Sequence, residues 1–203
     1  MGTTYANITL RGPTQAQVIE AAQEQGMTCF VSPTDRGVTV VYDARCEDEP
    51  DALRPVTRWL SRRLACAAWG VFVFDSDVFQ YVLCRDGEVV DEYDSRPGYP
   101  SAVRGQPRGG SADVLCREMQ LRSADVQEVG RFLHSPNDDN EFRYAMRRHG
   151  GLMDELGHPD LAYTFRFSDF WMEEDPPEGY EAEQFILVGD EEIPAPYAVE
   201  RQA

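Results

Sequence analysis

The sequence predicts an α+β fold, in which a mainly antiparallel sheet carries two helices on one face and is followed by a helical segment and an acidic C-terminal strap. Two observations predict it. Up to about residue 100, short β-rich runs alternate with two amphipathic stretches, whereas from residue 111 apolar residues recur every three or four positions. With 203 residues, 42% of them hydrophobic, the chain can bury a substantial core.

The first hundred residues show a definite order of elements. Strands are predicted at 5–10, 27–31, 38–42, 69–74, 78–84 and 88–93, and helices at 15–25 and 52–66. Gly12-Pro13-Thr14 ends the first strand and starts a helix, which Gly26 ends. Asp86-Gly87 between two β-rich runs indicates a hairpin. The order βαββαβββ predicts a ferredoxin-like variant with an extra hairpin.

The second half has a different pattern. A linker rich in glycine, proline and arginine is predicted at 101–110, between a sheet domain at 1–100 and a helical segment at 111–203. Helices are predicted at 111–119, 123–133 and 140–156. Residues 161–167 alternate in hydrophobicity and predict one more strand, at the sheet edge. The tail is acidic and aromatic, and we expect it to pack on the first domain because 185–188 is apolar.

The charge pattern excludes several function classes. The chain has no lysine, and its 19 arginines face 36 acidic residues, which gives a net charge of −17. Schiff-base and phosphate-loop lysines are therefore excluded. A nucleic-acid backbone requires surplus cations, so we expect no nucleic-acid partner. Residues 167–203 hold 11 acids and one arginine, which favours a basic protein partner.

The cysteine pattern indicates a reducing compartment. The five cysteines are widely spaced and contain no CxxC motif: Cys29, Cys46, Cys66, Cys84 and Cys116. They are typical of packed, reduced thiols. No apolar run approaches the ~20 residues that span a bilayer, and residues 1–10 do not resemble a secretory signal. We therefore expect a cytoplasmic protein with no membrane partner.

Two stretches, MGTTYANITL at 1–10 and DGEVVDEYDSRPGY at 86–99, resemble a family of uncharacterised bacterial proteins. The resemblance continues through residues 30–34 and 40–43 and covers about the first half of the chain. It implies a compact bacterial domain and no particular activity.

Residues 71–78, VFVFDSDV, are a hydrophobic strand that ends in Asp-x-Asp. This resembles the first motif of the haloacid-dehalogenase-like phosphohydrolases. The resemblance implies that Asp75 attacks phosphorus, that Asp77 handles the proton, and that both hold magnesium. However, Phe79 stands where that family has threonine, no lysine can supply its later cation, and its fold has parallel strands. The alternative interpretation is a tight turn between two strands.

An acidic edge is predicted on the last strand of the hairpin. By alternation Asp91, Tyr93 and Ser95 share one face, and Glu92 and Asp94 share the other. The edge could bind a basic partner, with Tyr93, Arg96 and Tyr99 as aromatic and guanidinium anchors. Acid–base hydrolysis and a merely solvated strand are the alternatives.

The loop at 104–111 combines glycines, Arg104 and Arg108 ahead of a helix. Such a loop can hold a small anion, although a flexible linker also explains it. On the second helix, Arg54, Arg58 and Arg62 form a stripe, which predicts either pairing with neighbouring carboxylates or a docking site.

The three histidines, at 134, 149 and 158, show no metal-binding spacing. We interpret His134 and His149 as lying near helix ends, where the helix dipole favours them.

The sequence contains no complete catalytic set, so no catalytic residue is assigned. The favoured hypothesis is a non-catalytic cytosolic interaction protein, of inhibitor or immunity type, that presents an acidic surface to a basic partner. It predicts binding through Asp91, Tyr93, Asp94, Arg96, Tyr99, Arg104 and Arg108, with no cofactor. The alternatives are a magnesium-dependent phosphohydrolase at Asp75 and Asp77, and a small-anion sensor.

Overall fold

The computed structural model describes residues 2–100, 105–142, 144–172 and 175–189. Within them the chain forms an α+β fold on one antiparallel sheet of eight strands. The strands are β1 (Tyr5–Arg11), β2 (Cys29–Val31), β3 (Val38–Asp43), β4 (Ala67–Phe74), β5 (Val78–Arg85), β6 (Glu88–Asp94), β7 (Arg108–Gly109) and β8 (Ile186–Val188). They lie side by side in the order β7-β6-β5-β4-β1-β3-β2-β8. The predicted α+β class with a mainly antiparallel sheet is confirmed.

Seven α-helices accompany the sheet in the described residues. They are α1 (Gln15–Gln25), α2 (Ala44–Asp48), α3 (Leu53–Arg63), α4 (Ala112–Met119), α5 (Val126–His134), α6 (Ala145–Leu156) and α7 (Phe167–Trp171). The ends of α1 follow from its flanking residues. Thr14 caps its N-terminus in a capping box with Gln17, and Gly26 ends it in the left-handed conformation at φ 65°. No helix of the described ranges is long and apolar enough to cross a membrane.

Because side chains alternate along a strand, the sheet has two chemically different faces. The aliphatic face is defined by Ala6, Ile8, Leu10, Val41, Ala68 and Val82. Side chains of α1 and α3 pack in the same apolar cluster as this face. The aromatic face is defined by Tyr5, Tyr42, Trp69, Phe79, Tyr81 and Tyr93. It packs against α4 to α7 and the segment 158–165, which together we call the helical layer.

The strand predicted at 161–167 is wrong. Residues Asp160–Ala162 form a 3-10 helix and Phe167–Trp171 form α7. The segment crosses the aromatic face, where the Asn7 side chain donates to the carbonyls of Ala162 and Phe165 at 2.7 and 3.0 Å. The backbone is therefore satisfied by side chains of the sheet and needs no neighbouring strand.

Both outermost strands come from the later part of the chain. The described part of the predicted linker contributes β7, which pairs with β6. The tail contributes β8, which pairs with β2 and buries Val188. The rest of the linker, 101–104, and the tail after Gly189 lie outside the described residues.

Candidate functional site

The predicted acidic edge on β6 is divided between the two faces of the sheet. Asp91 and Tyr93 point to the aromatic face, underneath the helical layer. Asp91 accepts hydrogen bonds from the Tyr81 hydroxyl at 2.7 Å and from the Ser111 amide at 2.8 Å. Burial raises the pKa of Asp91. Tyr93 is only 3% exposed and donates to the carbonyl of Leu133 at 2.8 Å. In the structure both side chains hold the helical layer to the sheet.

The other predicted anchors form a chain of contacts at the end of the β4–β5 hairpin. The Arg96 guanidinium donates to the Asp77 carboxylate at 2.9 Å and lies over the Tyr99 ring, 4.9 Å from its centroid. Asp94 accepts from the Gln80 amide at 2.9 Å and from the Arg96 backbone at 2.8 Å. These side chains therefore support one another.

Asp75 and Asp77, the predicted magnesium ligands, lie in the turn between β4 and β5. Asp75 and Ser76 have left-handed φ angles of 50° and 58°, and the Asp77 amide donates to the Phe74 carbonyl at 2.9 Å. The β4 strand is antiparallel to both of its neighbours, whereas the phosphohydrolase motif belongs to a parallel sheet. Among the described residues, no three acidic, histidine or cysteine side chains are grouped so as to hold a metal ion. The magnesium site stays a prediction from the sequence.

A groove of about 720 Å³ lies over the end of the sheet that β5, β6 and β7 form. Asp94 and Arg108 face each other in its floor as partners in the β6–β7 register. Arg54 and Glu92 form an ion pair beside them. Arg108 makes no ion pair within the described residues, and Arg104 lies outside them. The groove thus has nearly balanced charges.

The arginine stripe on α3 is paired with neighbouring carboxylates, as one of its two interpretations predicts. Besides the pair with Glu92, Arg62 lies 3.6 Å from the Glu88 carboxylate and Arg63 lies 2.6 Å from that of Glu24. Arg58 also approaches Glu88, at 3.9 Å. The positive charge of this surface is therefore used within the protein.

A second cleft, which the sequence did not predict, lies on the outer side of the helical layer. We call it the α6 cleft. It has a volume of about 700 Å³ and is lined by Phe132, Glu141, Phe142, Tyr144, Met146, Arg147, Gly150, Gly151, Met153, Asp154, Asp160 and Tyr163. Its size and its largely aromatic and thioether walls are typical of a ligand-binding or partner-binding site.

Two consecutive glycines in α6 determine the shape of this cleft. A Cβ atom at Gly151 would lie 2.1 Å from the Phe132 ring, and one at Gly150 would lie 3.1 Å from the Tyr163 ring. Glycine is unfavourable inside a helix by about 1 kcal/mol relative to alanine. Here it lets both rings lie directly against the helix backbone. A Gly-Gly pair inside a helical pattern is the sequence signal that could have pointed to this site.

The charges at the rim of the α6 cleft are mainly negative and unpaired. Burial raises the pKa of the Tyr163 hydroxyl, Arg147 acts against this, and Asp154 and Asp160 raise it further. These three charged groups line the cleft together with Tyr163. None of them forms an ion pair among the described residues. Glu141, in contrast, is paired with Arg131 at 2.8 Å.

Further negative charge lies in the described part of the tail. The Tyr180 hydroxyl donates to the Asp35 carboxylate at 2.7 Å, and Asp160 is one of the groups that raise the pKa of Tyr180, after burial and Asp35. Exposed carboxylates without an ion pair among the described residues follow in the same segment, namely Asp175, Glu178, Glu181 and Glu183. We call Asp154, Asp160 and these four carboxylates the acidic rim.

The interpretation of His149 as a residue near a helix end is wrong, because it lies inside α6 and is completely buried. Its Nδ1 is 2.8 Å from the Tyr5 hydroxyl, and its ring contacts Trp69 and Phe79. Burial, followed by the nearby His158, lowers the pKa of His149 to about 3. It is therefore neutral in the folded protein at physiological pH.

No family model, no curated protein and no solved structure matches this chain.

Proposed function

We propose that this chain is a non-catalytic cytosolic interaction protein, of inhibitor or immunity type, that presents an acidic surface to a basic partner. The observation that supports it best is the contrast between charged surfaces. Each of the four arginines of α3 lies within 4 Å of one of three neighbouring carboxylates, whereas no carboxylate of the acidic rim forms an ion pair in the described residues. Unpaired surface carboxylates next to a cleft can attract and orient a basic protein.

The proposal is tested with a fluorescent arginine-rich peptide, whose binding is followed by anisotropy over a series of salt concentrations. We expect binding at low salt that weakens steeply as salt is added, because the Debye length shortens from about 30 Å at 0.01 M to about 10 Å at 0.1 M. A peptide with glutamate at every arginine position is the control and should not bind. Failure of the arginine-rich peptide to bind at the lowest salt would overturn the proposed function.

We also propose that the first hundred residues are a ferredoxin-like variant with two helices on one face. The strand order β4-β1-β3-β2 and the crossovers through α1 and α3 support this assignment. So does the packing of both helices in the cluster of the aliphatic face. This unit would serve as the rigid support for the helical layer and its acidic rim.

The two alternatives remain testable. The phosphohydrolase alternative predicts magnesium-dependent hydrolysis of phosphomonoesters that is lost in Asp75→Asn. The anion-sensor alternative predicts that inorganic phosphate binds at Arg108 and that Arg108→Gln abolishes this binding. We favour neither, because Asp77 is already paired with Arg96 and because Asp94 lies opposite Arg108 in the β6–β7 register.

A further inference from the structure

We propose that the α6 cleft receives one arginine side chain of a basic protein partner, with the guanidinium stacked on the Tyr163 ring and paired with Asp154 and Asp160. This inference rests on the proposed function and names the contact through which the partner would dock. Five observations support it.

The walls of the cleft are suited to the aliphatic part and the planar end of an arginine. Tyr163 is partly exposed, and Met146 lies on the same wall. Aromatic faces attract guanidinium groups, and arginine stacks on them better than lysine because its head group is planar. No arginine of the described residues lies over the Tyr163 ring.

The aromatic residues of the same cleft already bind guanidinium groups of the protein itself. Arg131 lies 5.1 Å from the centroid of Phe132 and 5.4 Å from that of Phe142. Arg148 lies 4.7 Å from the centroid of Phe142. These contacts involve Phe132 and Phe142 and leave Tyr163 for an arginine from outside.

The rim supplies the matching charge. Asp154 and Asp160 are exposed and line the cleft together with Tyr163. A guanidinium stacked on that ring would therefore lie near both carboxylates. Two carboxylates can share the five N–H donors of an arginine, which a lysine ammonium cannot match in geometry.

Arg147 limits the cleft to a single cation. It lies on the same rim and also acts on Tyr163. A second positive side chain beside the first would meet this arginine, so the cleft should recognise an isolated arginine better than an uninterrupted basic run.

The shape of the cleft is fixed before any partner binds. Gly150 and Gly151 allow Tyr163 and Phe132 to rest on the backbone of α6. Walls held in this way lose little conformational freedom on binding, which favours affinity.

The experiment compares two double variants that remove the same amount of charge. Asp154→Asn with Asp160→Asn removes the two rim carboxylates. Glu20→Gln with Asp86→Asn removes two exposed carboxylates of the sheet unit, neither of which forms an ion pair in the described residues. The probe is a peptide with single arginines separated by glycine and serine. We expect the rim variant to weaken its binding about tenfold and the control variant at most about twofold.

Three further measurements complete the test. Tyr163→Leu should weaken binding about fivefold, whereas Tyr163→Phe, which keeps the ring, should retain it. Lysine in place of each arginine of the probe should also weaken binding. In the wild-type protein, the methyl NMR signals of Met146 and Met153 should shift on titration, and that of the buried Met27 on the opposite face of the sheet should not. Thermal unfolding of each variant checks that it is folded.

The outcomes separate the two proposals. If the wild-type protein binds the probe but both charge variants lose affinity equally, the attraction is a general one and the arginine site is wrong, while the proposed function stands. Methyl shifts confined to residues outside the cleft would also overturn the site. No binding of either arginine peptide at low salt would overturn the proposed function itself.

Discussion

The two faces of the sheet use different chemistry. Side chains such as Ala6, Ile8 and Ala68 form the aliphatic face, and side chains of α1 and α3 belong to the same apolar cluster. The aromatic face is packed by rings such as Tyr5 and Trp69, and it also buries Arg148, His149 and His158. Both buried histidines of the described residues therefore lie on the aromatic side of the sheet.

The solvent-exposed surfaces on the two sides of the sheet also differ, in the pairing of their charges. Outside the aliphatic face, the arginines of α3 are paired with carboxylates. Outside the aromatic face, the acidic rim has no such partners in the described residues. We therefore expect the proposed partner to bind, and the buried histidines to confer pH sensitivity, on the side of the helical layer.

The largest effect that we expect is a loss of stability in acid that originates on the aromatic face. Burial lowers the pKa of His149 to about 3 and that of His158 to about 4, while unfolded histidine titrates near 6.5. Between these values the unfolded state binds more protons, so the free energy of unfolding decreases as the pH falls. Each histidine contributes at most about 1.4 kcal/mol per pH unit. Urea unfolding from neutral pH to about pH 4.5 measures the slope.

The variant His149→Gln tests the source of that slope. It should reduce the slope of the free energy of unfolding against pH by about half, because one of the two buried imidazoles is removed. His134→Gln is the matched control, because His134 is exposed at the end of α5 and should leave the slope unchanged. Equal slopes in all three proteins would mean that the aromatic face is not the acid-sensitive side.

The substitution of the buried Arg148 should have the next largest effect on stability. Arg148 is fully buried and donates to the carbonyls of Phe132 and Ser135, at 2.7 and 2.6 Å, and to the Asn137 side chain at 3.0 Å. In Arg148→Met these acceptors lose their donors, and we expect the free energy of unfolding to fall by about 3 kcal/mol. Arg147→Met, at the exposed neighbour, should change it by about 0.5 kcal/mol or less. Similar losses of unfolding free energy in the two variants, measured by chemical denaturation, would contradict the assigned role of Arg148.

Alanine substitutions at three glycines test how tightly the two faces of the sheet and helix α5 are packed. In Gly151→Ala the new methyl group would meet the Phe132 ring, and in Gly70→Ala it would lie 2.2 Å from the Thr57 hydroxyl on α3. Each of these two substitutions should lower the free energy of unfolding by about 1–3 kcal/mol. In Gly130→Ala the methyl group meets only Ala112, at 3.9 Å, so this variant should be stabilised by up to about 1 kcal/mol. A loss of stability in Gly130→Ala would mean that α5 packs more tightly than described.

The smallest effect on stability should come from substituting one of the paired arginines on the surface of α3. Arg63 donates to Glu24 through Nε and Nη2, at 2.8 and 2.6 Å, but both side chains are largely exposed. Arg63→Met should lower the free energy of unfolding by no more than about 1 kcal/mol, and high salt should remove the difference. A larger, salt-independent loss would show that this surface contributes more than its charge pairs.

Much of the first half could be predicted because its signals are local. The bounds of α1 match the prediction at both ends, since Thr14 and Gly26 mark them. The Asp86-Gly87 hairpin was also predicted correctly, and both residues have the positive φ that such a turn requires. The strands of this half differ from the predicted bounds by one or two residues.

The errors concern contacts between distant parts of the chain. Residues 161–167 alternate like a strand, but Asn7 and Tyr42 hold their carbonyls from the sheet. Asp91 and Tyr93 were expected on an open edge, whereas the helical layer covers them. The α6 cleft needs α5, α6 and residues 160–163 to meet, and no local pattern encodes that meeting.

The positions of β7 and β8 have a consequence for synthesis on the ribosome. When the first hundred residues have emerged, β6 and β2 are both open edges, and the aromatic face has no cover. Open edges and exposed rings promote association between nascent chains. The edges of β6 and β2 gain their outer neighbours only when residues 108–109 and 186–188 have been synthesised, so the time for which these edges stay open depends on how fast the second half of the chain is translated.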